Sequence, residues 1–278
     1  MTTQTLERAL DLMRILAASG TDGCRLVDLQ RASGLTKPTV HRILDTLKIQ
    51  GVVEQQEDTR RYRLGQELAV LGWSANRTVY DLKELAAEEM CAVASRTGDT
   101  SFLALRSGTE AVCIDRQTGD YPVKAFTVDV GTRRPLGIGA TGVALLAALD
   151  PAEADAAMDA IRPQLPRYPN ASLRQIREAV ASARRHGYAV SEGLMLKEVR
   201  GVAVVIRDGR ERAIAAIGIA AISDRVSNRR LPEIVRLLRT HANHIEQRIA
   251  TAESRATGNP VRHYRAGTTI AARTRRSA

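Results

Sequence analysis

The sequence predicts an α+β protein of two domains, and three observations lead to this prediction. The chain has 278 residues, which is more than one small domain needs. Apolar residues recur at helical spacing in the first part of the chain, and the pattern becomes strand-like after Gly51. A second set of alternating segments begins near Gly98 and is interrupted by helical patterns, which predicts a separate α/β domain.

The charge of the chain favours an anionic partner but does not identify it. The formal net charge is +10 and the isoelectric point is about 10.1. Residues 1–65 carry ten Lys and Arg against eight Asp and Glu, whereas residues 254–278 carry six Arg and no acid. More than half of the excess therefore lies in this basic tail. The tail is either a disordered end without a role or a source of non-specific affinity for phosphates.

Cysteine usage and hydropathy indicate a cytoplasmic protein. Cys24, Cys91 and Cys113 are far apart and form no C-x-x-C pair, so neither a disulfide framework nor a structural zinc site is expected. The beginning of the chain is polar and soon amphipathic, unlike a signal peptide. There is no run of 18 apolar residues, so no membrane contact is expected.

The N-terminal segments predict a helix-turn-helix. Helical patterns cover residues 5–19 and 28–33, and residues 33–47 supply a turn and a recognition helix. Gly34 suits the tight turn, and Pro38 suits the first turn of the helix. The apolar stripe of this helix is Val40, Ile43, Leu44 and Leu47. The polar side of this helix is predicted to contact DNA, and the alternative is that it is only a solvated face. The candidate DNA-binding residues are Thr36, which is also the expected N-cap, Lys37, Thr39, His41 and Arg42.

A short hairpin follows the recognition helix and predicts a wing. Residues 52–55 and 60–64 alternate in the manner of strands, and a polar turn at residues 57–59 separates them. Arg60 and Arg61 are placed to reach phosphates or a narrow minor groove. Exposed hairpin tips are also charged in proteins that bind no DNA, so this prediction is weaker than that for the recognition helix.

The pattern predicts a linker helix and then the second domain. Residues 66–80 read as one helix, in which Leu68, Leu71 and Trp73 are candidate dimer contacts, and another helix runs to about Arg96. The remaining predicted elements are strands at 100–105, 111–116 and 121–128, a glycine-rich loop at 136–142, helices beginning at 143 and 151, a helix at 172–186, strands at 188–191, 202–207 and 213–220, and a last helix from Pro232 to about Thr251.

The order of these parts resembles the IclR family of bacterial transcription regulators. The resemblance covers roughly residues 5–250, and its motifs are residues 33–44 (SGLTKPTVHRIL), 62–65 (YRLG), 134–136 (RPL) with Gly142 and 145–147 (LLA), and 187–190 (GYAV). It implies a DNA-binding domain (1–65), a linker helix (66–79), a GAF/PAS-like effector-binding domain (80–253) and the basic tail (254–278). It also implies a homodimer or dimer of dimers, a palindromic operator in double-stranded DNA, and a small organic acid as effector.

The resemblance places the effector between the sheet and the glycine-rich loop. On the loop, Leu136 borders the site, and the backbone N–H groups of Gly139, Ala140 and Thr141 can cradle a carboxylate, unless the loop only caps the next helix. The opposite wall includes Gly201, Gly218 and Ala220, and Ser191 and Glu192 fall where the family uses polar residues, so that either of these two can face the ligand. Gly218 and Ala220 stand where members that bind small acids carry serine, and Gly201 stands where cysteine is frequent. These differences predict extra volume and a larger, more apolar ligand, such as an aromatic acid.

No combination of residues predicts an enzyme or a cofactor. The sequence contains no G-x-S-x-G, Walker or H-E-x-x-H motif. A catalytic domain tethered to a DNA-binding module and a ligand-free architectural DNA binder are the alternatives to a ligand-responsive regulator. His241 and His244 are spaced to share one side of a helix, but no third metal ligand is evident, so we expect surface histidines and no metal site.

Overall fold

A computed structural model describes residues 2–75, 77–124 and 128–257. The first part is the predicted winged helix-turn-helix. Its elements are α1 (Thr2–Ala18), α2 (Leu26–Ser33), α3 (Lys37–Ile49), β1 (Val53–Gln55) and β2 (Tyr62–Leu64). Gly34 has a φ of 68°, in the left-handed region that glycine tolerates best, and this conformation makes the turn between α2 and α3.

One small core holds these elements together. Leu12 and Leu16 of α1 pack with Leu29 of α2 and with the stripe of α3, of which Val40 and Leu44 are fully buried. This packing fixes which side of α3 faces outward.

The wing is fastened to the turn after α1. The backbones of Cys24 and Tyr62 exchange two hydrogen bonds of 2.8 Å each. The Arg61 guanidinium donates to the Gly23 carbonyl at 3.0 Å. Cys24 forms an isolated β-bridge with Tyr62, and the chain turns into α2 directly afterwards, with Arg25 as the N-cap residue.

The linker region consists of α4 (Glu67–Ala75) and α5 (Arg77–Thr97). Of the candidate dimer contacts, Leu68 is half-buried and Leu71 is 52% exposed. The side chain of Trp73 lies outside what the structure describes.

The second domain is built on one antiparallel sheet. Its elements follow as β3 (Thr100–Ser107), β4 (Glu110–Thr118), β5 (Arg133–Pro135), α6 (Gly139–Ala147), α7 (Pro151–Ile161), α8 (Leu173–His186), β6 (Ala189–Glu192), β7 (Val199–Arg207), β8 (Ala213–Ile222) and α9 (Leu231–Thr257), with short 3-10 helices at Arg162–Arg167 and Ser223–Val226. The strand order is β5-β4-β3-β8-β7-β6. The two hairpins β3–β4 and β7–β8 therefore meet along β3 and β8.

The two faces of the sheet carry side chains of different size, since successive residues of a strand face opposite ways. Large residues such as Leu103, Val202 and Ile217 pack against α5 and α9. Alanines such as Ala104 and Ala216 face α6 and α8. The small side chains leave room on the second face for close helix packing and for a cavity.

One predicted strand and one predicted helix start in this domain are wrong. The described part of the strand predicted at 121–128 is not in a strand, and residues 125–127 lie outside the description. The strand that pairs with β4 on the side away from β3 is β5, with Ala111 opposite Arg134. The loop predicted at 136–142 is also shorter than expected, because α6 begins at Gly139 rather than at Val143. No described helix combines the length and the apolar character that crossing a bilayer requires.

Candidate nucleic-acid interface and ligand cavity

The outer side of α3 presents two cations at its N-terminal half. Lys37 and Arg42 are exposed, and within the described residues neither forms an ion pair with an acidic side chain. Val40, Ile43 and Leu44 are buried on the inner side. The positive charges of Lys37 and Arg42 are therefore available to phosphates or to guanine edges.

Thr36 has the N-cap position but not the expected capping hydrogen bond. Its backbone is extended, yet its side chain accepts no N–H from the first turn. The Thr36 hydroxyl lies instead 2.9 Å from the Thr39 hydroxyl. This pair leaves two hydroxyl groups on the first turn of α3. His41 is exposed and its Nδ1 lies 2.8 Å from an Asp45 carboxylate oxygen, so His41 faces solvent with a partner on its own helix.

The two arginines predicted at the wing differ in their surroundings. Arg60 is exposed with a φ of 55°, and its carbonyl accepts a hydrogen bond of 3.1 Å from the Gln55 side chain, which closes the turn. Arg61 is half-buried and donates to the Gly23 carbonyl. Arg60 is thus the freer of the two side chains.

A cavity of about 70 Å³ lies between the N-terminus of α6 and the alanine-rich face of the sheet. Seven of the nine predicted effector residues line it, namely Gly139, Ala140, Thr141, Ser191, Gly201, Gly218 and Ala220. The other two do not. Leu136 is fully buried in the core beneath α6, and Glu192 is exposed with a carboxylate oxygen 3.5 Å from Nε of Arg200.

Arg134 is a cavity residue that the sequence analysis did not find. It lies in β5 and lines the cavity, whereas its neighbour Arg133 turns away to the Glu110 carboxylate at 2.8 Å. Burial lowers the pKa of Arg134, but a guanidinium keeps its charge at neutral pH. The strand alternation of β5 and its pairing with β4 could have located Arg134, had that strand been predicted. Phe102, Cys113, Thr132 and Met195 also line the cavity without having been predicted.

The first turn of α6 adds a second positive feature to the cavity. The N–H groups at Gly139, Ala140 and Thr141 belong to the N-terminal turn, whose donors have no carbonyl partner within the helix. No side chain caps this end at Ile138. The helix terminus and the Arg134 guanidinium both line a cavity whose other walls are largely apolar, and such a cavity suits an anion with an apolar body.

The glycines of the far wall do not enlarge the cavity, and the predicted gain in volume there is wrong. A Cβ atom at Gly218 would lie 2.5 Å from the Val202 carbonyl oxygen and 2.8 Å from the Ala203 Cβ. At Gly201 a Cβ atom would lie 3.1 Å from the Ala140 Cβ. Neighbouring atoms already fill the space that these side chains would occupy, so the glycines serve close packing.

Cys113 gives the cavity a thiol but no reactive group. Burial, together with the nearby Asp115 carboxylate, raises the pKa of Cys113 to about 11. Because the thiolate is the nucleophilic form, Cys113 stays unreactive at neutral pH.

The prediction that His241 and His244 are surface histidines is wrong for His241. The His241 ring is buried, and its Nδ1 lies 2.5 Å from Glu89 Oε2. Nδ1 of the half-exposed His244 lies 3.2 Å from the same oxygen. Glu89 is the third group that the sequence did not reveal, because α5 and α9 are far apart in the chain and meet only in the fold.

Comparison with known protein families gives two matches that together span both domains. Residues 5–57 match the IclR helix-turn-helix domain. Residues 76–247 match the C-terminal domain of the bacterial transcriptional regulator IclR.

Whole proteins of known type are similar over nearly the full chain. The HTH-type transcriptional regulator XynR of Escherichia coli is 29% identical over 92% of this chain and 98% of its own length. The glycerol operon regulatory protein of Streptomyces coelicolor is 28% identical over 88% of this chain and 95% of its own.

Solved structures have the same fold. A transcriptional regulator of the IclR type from a Silicibacter species superposes with a TM-score of 0.70 at 27% identity, over 88% of this chain and 96% of that one. An IclR homologue from Microbacterium hydrocarbonoxydans, solved in complex with 4-hydroxybenzoate, superposes with a TM-score of 0.67 at 23% identity, over 90% of this chain and all of that one.

Proposed function

Because the chain belongs to the IclR family of bacterial transcriptional regulators, we propose that it binds a palindromic operator in double-stranded DNA and that a small organic acid in the cavity beside α6 governs this binding. It is a regulator with a helix-turn-helix DNA-binding domain and a C-terminal effector domain, and the family is not one of enzymes. We propose that it acts in the cytoplasm, where its operator lies.

The observation that carries the DNA part of the proposal is the pair of cations on α3. Lys37 and Arg42 project from the N-terminal half of the helix, the part that meets base edges when such a helix enters a major groove. The Thr36 and Thr39 hydroxyls and the His41 ring lie on the same helix end. Arg60 is exposed at the wing, where it would contact the backbone of a bound DNA.

Exposed apolar side chains support the proposal of a dimer or a dimer of dimers. Leu6 and Leu10 of α1 are 62% and 42% exposed, and Val70 and Leu71 of α4 are 56% and 52% exposed. These helices flank the DNA-reading elements in the chain. Burial of these residues against a second copy would remove apolar surface from water and would pair two recognition helices on one operator.

The proposal of an acid effector rests on the cavity. Arg134 and the N-terminus of α6 favour a carboxylate, and Phe102, Ile138 and Met195 offer apolar contacts to the rest of the molecule. About 70 Å³ suits an acid of a few carbon atoms. An aromatic acid such as 4-hydroxybenzoate, which one solved relative binds, would require the cavity to widen.

A footprint on the DNA that flanks the gene of this protein tests the proposal. We expect protection of two half-sites related by a dyad, and a change in operator affinity with one acid from a panel of pyruvate, glyoxylate, benzoate and 4-hydroxybenzoate. Benzamide is the neutral control. Absence of specific protection would reject the proposal that the protein regulates neighbouring genes. An equal change in operator affinity with benzamide would reject recognition of the carboxylate.

A further inference from the structure

We propose that Glu89 of α5 and His241 and His244 of α9 form a binding site for a divalent transition metal ion, with Zn²⁺ as the best candidate. The site lies on the face of the sheet opposite the effector cavity, because α5 and α9 pack against the large side chains rather than against the alanines. Metal binding at this site would therefore be a signal separate from binding of the acid effector.

The geometry of the three groups fits such a site. One nitrogen of each histidine and one oxygen of Glu89 lie within 4.8 Å of one another. Both Nδ1 atoms face the same oxygen, Glu89 Oε2, at 2.5 Å for His241 and 3.2 Å for His244. Helical bundles hold transition metals with carboxylates and histidines from facing helices, including ligands three residues apart on one helix, which is the spacing of His241 and His244. In the absence of an ion, the same atoms hydrogen-bond to one another.

The donor chemistry selects the class of metal. Zn²⁺ binds imidazole nitrogen at about 2.0–2.1 Å and carboxylate oxygen at about 2.0–2.2 Å, so His241 Nδ1 and Glu89 Oε2 need to separate by less than an ångström. Two imidazoles with one carboxylate exclude Ca²⁺ and Mg²⁺, which prefer oxygen ligands only. Three protein ligands leave a fourth position, which water can fill.

The surroundings supply both rigidity and access. The side chains of Glu89 and His241 are each 8% exposed, so burial fixes them, whereas His244 is 49% exposed. A solvent-open cavity of about 470 Å³ reaches Glu89, His244 and Gln247. A metal ion can therefore enter from the side of His244.

The charged neighbours orient the carboxylate. An Arg248 nitrogen lies 3.2 Å from Glu89 Oε1, and the same guanidinium contacts the carboxylate of Glu88, which offsets its charge. Arg248 thereby occupies the oxygen that does not face the histidines. Burial alone would raise the pKa of the Glu89 carboxyl, but the hydrogen bonds of His241 and His244 outweigh this effect and lower it.

His241 has a buried nitrogen that nothing else in the described structure satisfies. Its Nε2 is inaccessible to solvent and has no hydrogen-bond partner among the described residues. Burial of an unsatisfied polar atom costs free energy. The hydrogen bond between buried His241 and Glu89 offsets little of this cost. A metal–nitrogen bond at Nδ1 would leave Nε2 without a partner, but it would tie α5 to α9.

Zinc titration of the full-length, untagged protein tests the site. After treatment with a chelator and its removal, Zn²⁺ is added in competition with a chromophoric indicator, and Co²⁺ is added separately to record its visible absorption. We expect one ion per chain, an increase in the unfolding temperature with Zn²⁺, and a Co²⁺ spectrum of low coordination number.

His244→Ala is the principal variant, because His244 is half-exposed and its truncation leaves the core intact. We expect its zinc affinity to fall about tenfold or more. His186→Ala removes an exposed histidine of α8 and is the matched control, with unchanged affinity expected. Glu89→Gln keeps the volume and removes the charge. Failure of the wild type to bind Zn²⁺ or Co²⁺ at micromolar concentration would overturn the proposal, and so would equal binding by wild type and His244→Ala.

Discussion

The Arg225 guanidinium donates to the Asp99 carboxylate at 2.5 Å, and this hydrogen bond raises the pKa of Arg225. Arg230 reaches the second carboxylate oxygen of Asp99 at 3.2 Å. Both arginines also donate to the carbonyl of Thr97, the last residue of α5. A single buried carboxylate therefore joins the end of α5 to the segment that leads into α9.

Loss of this carboxylate should destabilise the effector domain strongly. Asp99→Ala leaves two partly buried guanidinium groups without their acid, and removal of one partner of a buried ion pair typically costs about 3–5 kcal/mol. We expect a clearly lower urea midpoint. Asp159→Ala removes an exposed partner of Arg162 and should change stability by less than about 0.5 kcal/mol. Equal midpoints for the two variants would contradict the assignment.

Arg42→Ala should lower operator affinity about tenfold or more, because a good contact to a base edge contributes about 1–3 kcal/mol. Fluorescence anisotropy at fixed salt measures the change, and circular dichroism checks the fold. Arg174→Ala, which removes an exposed arginine of α8 in the other domain, is the control and should bind normally. Unchanged affinity of Arg42→Ala would exclude this side of α3 from the DNA interface.

Arg134→Gln should abolish or greatly weaken binding of the acid effector while leaving effector-free operator binding intact. The cavity loses its guanidinium, although the N-terminus of α6 remains. Arg133→Gln is the matched control, because this neighbouring arginine points to Glu110 and Ser107 outside the cavity. Calorimetry measures the affinity of both variants for the acid that changes operator binding. A similar loss of affinity in both variants would argue against a specific contact at Arg134.

Asp208 should make stability depend on pH in the acid range. Burial alone would raise the pKa of Asp208, but hydrogen bonds from the Arg212 side chain and from the backbone of Arg210 and Arg212 lower it below its ordinary value of 3.8. Because the folded-state pKa is the lower one, its contribution to stability is present above about pH 4 and is lost as the pH falls through the folded-state pKa.

Asp208→Asn therefore should lower the unfolding midpoint at about pH 6, and it should lower the midpoint by less at about pH 3. Urea titrations at the two pH values measure the difference between the proteins. A difference that stays the same at both values would show that Asp208 acts through packing rather than through its charge.

The features that the sequence predicts well are those that local chemistry decides. The stripe of Val40, Ile43 and Leu44 needs only helical spacing, and Gly34 needs only a left-handed turn. The helix predicted at 172–186 is α8, in which the Ser172 side chain accepts the Gln175 N–H and Gly187 ends the helix in the left-handed region.

The features that the sequence does not predict depend on partners that are distant in the chain. Arg134 faces the cavity because β5 pairs with β4 in one register, and Glu89 meets His241 because α5 packs on α9. Gly218 is a further example, since the atoms that exclude a side chain there belong to the neighbouring β7. Periodicity along one segment contains no information about which segment lies beside it.

The double hydrogen bond between Cys24 and Tyr62, together with the Arg61–Gly23 contact, binds the hairpin to the end of the first helix. The hairpin and the recognition helix also share one core and therefore form one rigid unit. We expect an effector to change the internal geometry of this unit little. In the proposed dimer, control of transcription would then come from the distance and angle between the two DNA-binding domains.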